Sequence, residues 1–126
     1  MFKINDDKSI YLTRGDIATI DVSATGESGL QHIFQVGDII RLKVFEKKDC
    51  ECVVLQKDVE VIEETDIVSV RLNKVDTKLG ELISKPKDYW YEIELNPETS
   101  PQTIVGYDDE GAKVFKLFPE GRDFIG

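Results

Sequence analysis

A chain of 126 residues, 40% of them apolar and 33% charged, is long enough to bury one core and too apolar for intrinsic disorder. Its 25 acidic against 16 basic side chains leave a net charge of -9, which repels phosphate backbones and anionic bilayers and argues against nucleic acid or membrane as a partner. The charged start MFKINDDKSI lacks the apolar stretch of a secretory signal and no segment approaches the roughly 18 apolar residues of a span, so a protein made in the cytoplasm is expected.

Ile10 to Thr13 reads as a short strand and Ile17 to Val22 as a clearer one, with Ala18, Ile20 and Val22 alternating against Thr19 and Asp21. Between them, Arg14-Gly15-Asp16 matches the integrin-binding tripeptide but reads as a β-turn. Ser23 to Gly29 is a polar loop, and His32 to Val36 adds a short extended piece. Ile39 to Phe45 alternates Ile40, Leu42 and Val44 with Arg41 and Lys43 before Glu46 to Asp49 turns the chain, a hairpin signature. Cys52 to Leu55 followed by Val59 and Val61 predicts one bent strand or two short ones, and Glu63 to Asp66 makes the next turn.

Ile67 to Leu72 repeats the strand pattern, whereas Val75, Leu79 and Leu82 are spaced for one or two helical turns, with Asn73 or Asp76 as the cap and Pro86 as the stop. Asp88 to Leu95 is the most β-prone segment, with Tyr91, Ile93 and Leu95 on one face and Trp90, Glu92 and Glu94 on the other. Asn96-Pro97 ends it. Thr103 to Tyr107 and Ala112 to Phe118 flank Asp108-Asp109-Glu110-Gly111, a turn of the hairpin type. The predicted fold is one all-β domain, an antiparallel β-sandwich with Greek-key connections, seven to nine strands and one short helical crossing, with 121–126 as a tail; barrel closure stays open.

Candidate chemistry is sparse. Cys50 and Cys52, two positions apart in a strand, read as free thiols, and the single histidine, His32, stands outside any nucleophile motif. Glu92 and Glu94 should place their Cα atoms about 6.6 Å apart on one face, a spacing compatible with paired catalytic carboxylates and equally with an ordinary solvated face. Trp90 beside them either stacks on a sugar ring, the basis of an alternative carbohydrate-binding reading, or packs under the crossing or a neighbouring subunit. Asp108, Asp109 and Glu110 are weak calcium candidates, because the spaced D-x-D-x-D-G pattern is missing. No catalytic residue, cofactor or dedicated metal site is expected.

Three stretches carry a resemblance: Leu12-Thr13-Arg14-Gly15-Asp16, Gly37-Asp38-Ile39-Ile40-Arg41-Leu42-Lys43-Val44, and Asp76-Thr77 ahead of Tyr89 to Leu95. Together they resemble the N-terminal immunoglobulin-like domain of phage baseplate upper proteins and related small prophage proteins of Firmicutes. The resemblance implies a non-enzymatic structural module of a prophage tail or baseplate, carried into a virion and docked to other tail or baseplate proteins or to itself. It covers most of the chain in element order but includes no long receptor-binding extension, so host recognition is not expected.

Overall fold

The structure is a computed structural model that describes residues 2–5, 8–25, 29–48, 52–79, 85–106 and 111–119. Among the described residues nine strands and one helical turn follow in chain order: β1 (Phe2–Ile4), β2 (Ile10–Thr13), β3 (Ala18–Val22), β4 (Ile39–Phe45), β5 (Val53–Glu60), β6 (Val68–Leu72), α1 (Lys74–Thr77), β7 (Lys87–Leu95), β8 (Gln102–Val105) and β9 (Lys113–Phe118). The all-β expectation holds.

Seven strands form one sheet in the order β1-β2-β9-β7-β4-β5, with β8 also on β7, and β3 pairs with β6 in a second sheet. The large sheet runs from edge to edge without closing, so the architecture is sandwich-like and not a barrel. All pairings are antiparallel except β2 with β9, which run parallel from Ile10 opposite Phe115 to Thr13 opposite Phe118. These two strands come from opposite ends of the chain, so the whole domain serves as their crossover.

The period-two alternation decides what goes inside. Ile40, Leu42 and Val44 of β4, Tyr89 to Leu95 at every second position of β7, and Phe115 and Leu117 of β9 are buried. They meet Ala18, Ile20 and Val22 of β3 and Val68, Val70 and Leu72 of β6 in one core cluster. Fully burying such a side chain contributes about 1.5–3 kcal/mol, enough for these two opposed apolar faces to hold the sheets together.

One expectation needs correction, and two others are made definite. The segments around Gly111 do not form a hairpin: β8 pairs with Ile93 to Leu95 and β9 with Lys87 to Tyr91, both antiparallel to β7 and along the same edge. They therefore run in one direction, which a hairpin forbids. The helical crossing has the shorter of the two expected lengths, a single turn; Thr77 within it and Leu79 after it are buried, whereas Val75 is 84% exposed, and Leu82 lies outside the described residues. Of the two forms expected for Cys52 to Val61, the structure has the single bent strand, Val53–Glu60, whose bulge shows in the register: Val44 faces Leu55 but Phe45 faces Val53, leaving Val54 as the extra residue.

Thr77 explains why α1 is placed where it is. Its Oγ1 accepts a hydrogen bond from the Gly15 N–H at 3.1 Å and donates to the Asp16 carbonyl at 2.8 Å. The Arg14-Gly15-Asp16 segment is thus a clasped turn, with Gly15 at φ 88 and Arg14 buried, and two of the motifs that carry the resemblance touch each other. Replacing Thr77 by valine keeps the shape but strands a half-buried donor and acceptor, the Gly15 N–H and the Asp16 carbonyl, and should lower unfolding stability by about 1–2 kcal/mol, read from the urea midpoint.

Candidate functional site

The strand alternation that buries Tyr91 and Ile93 turns Trp90, Glu92 and Glu94 to the outer face of the large sheet, as expected from sequence. All three are half-buried. Register places Trp90 between Phe45 on β4 and Val114 on β9, so an apolar row crosses three strands on the face opposite the core. Phe45 in this row is only 3% exposed. Trp90 therefore lies in packed surroundings, within a row of apolar neighbours.

The next rows are charged. Lys43 faces Glu92 and Arg41 faces Glu94 across the β4–β7 ladder, but Lys43 pairs diagonally, its Nζ 3.0 Å from Glu94 Oε1. Arg41 is held by Asp58 through two hydrogen bonds of 2.8 and 2.9 Å and by Glu98 at 3.1 Å. This fork keeps the Asp58 carboxyl below its ordinary range, its hydrogen bonds with Arg41 being the largest cause. Both cations of β4 are thus engaged by carboxylates other than Glu92.

Glu92 stands at the one position of β7 that its two edge partners skip, since Val105 of β8 pairs with Ile93 and Lys113 of β9 with Tyr91. Gly106 closes over the gap: a methyl group added there would meet Thr103 Cγ2 at 2.6 Å and Glu92 Cβ at 3.8 Å. Burial first, and the neighbouring Glu94 charge second, push the Glu92 carboxyl above its ordinary value. Three cavities formed by described residues, of about 270, 420 and 280 Å³, have none of Trp90, Glu92 and Glu94 in their walls.

Asp108, Asp109, Glu110 and Cys50 lie outside the described residues. Cys52 is an exposed free thiol, and no group of three or more possible metal ligands occurs among the described residues.

A feature that sequence reading missed sits at one corner of the sandwich. The 33–38 and 61–65 segments are joined by hydrogen bonds between Phe34 and Thr65 (2.7 and 3.2 Å), from Gly37 N–H to the Val61 carbonyl and from Val61 N–H to the Asp38 carbonyl (both 2.9 Å). Around this junction Val36, Ile62 and Ile67 are 68%, 82% and 48% exposed, and Ile33 is exposed as well. A shallow 280 Å³ depression lined by Val59, Val61 and Val68 lies beside them. The available signal was Ile62 and Ile67 flanking an acidic turn, where solvated turns ordinarily carry polar residues.

No protein-family model matches the chain, and no curated protein or solved structure matches it either.

Because the folded state raises the Glu92 pKa, the folded protein favours protonated Glu92, and stability is lost as pH rises from below the ordinary carboxylate value through the raised one. Glu92→Gln cannot ionise. It should be more stable than the wild type near pH 7, with the advantage disappearing near pH 4, as followed by denaturant unfolding at both values.

Proposed function

We propose that the chain is a non-catalytic assembly module, of the tail or baseplate kind that its resemblance implies, and that it docks through the Val36–Ile62–Ile67 corner. The observation that carries this reading is the concentration of exposed aliphatic side chains on two hydrogen-bonded segments beside an apolar depression. Exposed apolar surface gathered in this way marks an interaction site more often than apolar residues scattered singly.

The outermost strands of the large sheet, β1 and β5, are poorer docking templates. Edge strand β1 has three residues, and β5 is interrupted by its bulge and turns Lys57 inward to an ion pair with Asp76 of α1 at 3.1 Å. Short edges, bulges and inward lysines are the devices by which sheets resist pairing with other chains. At the corner no such device blocks contact.

Charge selects the partner. Glu60, Glu63, Glu64 and Asp66 surround the corner with no basic residue between Glu60 and Ile67. Two copies of the same acidic rim repel, which disfavours symmetric self-association, whereas a partner presenting aliphatic residues ringed by lysine or arginine is attracted. The carbohydrate reading has no comparable support, since Trp90 sits in an apolar row and Glu94 is ion-paired.

Co-expression with the products of neighbouring genes, followed by size-exclusion chromatography with light scattering, tests the proposal. The wild type should form a complex that weakens with salt. Ile62→Asp should weaken it at least about tenfold while changing folding stability by no more than about 0.5 kcal/mol. Failure of the wild type to bind any of them, self-association alone, or undiminished binding by the variant would overturn it.

A further inference from the structure

We infer that the partner engages the corner as an added β-strand along the edge of β6 that β3 leaves open, through an extended segment alternating aliphatic residues with lysine or arginine; this rests on the corner being the docking site. β6 pairs with β3 from Val68 opposite Val22 to Leu72 opposite Ala18, and β3 is its one strand neighbour among the described residues. An edge of this kind carries a row of N–H and C=O groups that another chain can complete.

The 280 Å³ depression lies along that edge. It is lined by Val68 and Ser69 of β6 and by residues 59–63, where β5 ends. Successive side chains of a strand point to opposite faces, so a hollow bordered by both Val68 and Ser69 lies at the strand's edge and not over one face. The other edge belongs to β3. Lys57 of β5 meets Asp76 of α1, the turn that follows β6, at 3.1 Å, which holds β6 beside β5. The depression is therefore a slot between the two sheets, open where the edge of β6 and the end of β5 stand side by side.

β6 lacks the devices that guard β1 and β5. Its five residues, VSVRL, include no glycine, proline or lysine, and its pairing with β3 runs without a bulge. Ser69 donates its hydroxyl to Asp21 of β3 at 2.7 Å, which leaves its main chain as the donor it can offer a partner. Ahead of the strand, Thr65 Oγ1 accepts from the Ile67 N–H at 3.2 Å and donates to the Ile67 carbonyl at 3.0 Å. Ile67 is thus answered locally, and the added strand runs along Val68 to Leu72. The walls set its chemistry: Val59, Val61, Ile62 and Val68 are aliphatic, whereas Glu60 and Glu63 are acidic. Alternate side chains of an added strand face the apolar wall and the others reach the rim, so aliphatic residues alternating with basic ones answer both. A second copy would bring a second set of carboxylates to the slot.

The test is a titration of the full chain with a short, end-capped peptide of alternating valine and lysine, followed by amide NMR and hydrogen exchange at constant ionic strength. Saturable shifts at residues 60–63 and 68–72 are expected, and alternate amides of β6 should exchange at least about tenfold more slowly in the complex. The same peptide with proline for its central valine, or with glutamate for its lysines, should bind at least about tenfold more weakly. No saturable binding of the valine–lysine peptide, equal binding of the proline peptide, or unchanged exchange along β6 would overturn the inference. Saturable shifts at the corner without protection of β6 reject strand addition and leave the corner as the docking site, whereas a partner complex that Ile62→Asp leaves undiminished removes the site itself.

Discussion

The ladder made by β7 is the constraint on which the remaining structure depends. Its nine residues pair with β4 along one edge and share the other between β9 and β8. Every second side chain from Tyr89 to Leu95 enters the core, and those between form the outer face. Core and candidate site are therefore two sides of one strand. A one-residue slip would exchange Tyr91 and Ile93 for Trp90 and Glu92 and bury two carboxylates, so the register is strongly specified.

The end of β7 is secured by polar contacts instead of burial. Asn96, at φ 48, accepts the Ile39 N–H through its Oδ1 at 2.8 Å and donates from Nδ2 to Asp38 at 3.1 Å. Asn96 is the last residue before Pro97, and asparagine tolerates the left-handed backbone better than most side chains. Beside it, the Arg41 fork ties β4 to β5 and to the Glu98 turn. These bonds organise the start of β4, whose preceding segment leads back through Gly37 to the exposed corner.

Charge distribution then separates the surfaces. On the outer face, Arg41 and Lys43 are engaged by carboxylates, which leaves Glu92 to absorb the burial and repulsion that raise its pKa. At the corner, acidic residues stand without basic ones and frame exposed aliphatics. One acidic chain thus presents two chemically different surfaces because the fold sorts its charges by position, independently of composition.

Much of this was legible residue by residue. Alternation in Ile39 to Phe45, Ile67 to Leu72 and Asp88 to Leu95 determined which side chains face inward, because a strand's period of two is a local property of the backbone. Turn chemistry at Gly15 and the stop at Asn96-Pro97 were readable for the same reason. Pairing was not local. That β8 and β9 lie along one edge of β7, that β2 and β9 run parallel, that Thr77 clasps a turn more than sixty residues earlier, and that Lys8 meets His32 around a cavity all depend on contacts between distant segments. The sequence by itself determined the faces of the strands; only the tertiary structure decided which faces and edges meet, because long-range pairing is selected by the packing of the whole core.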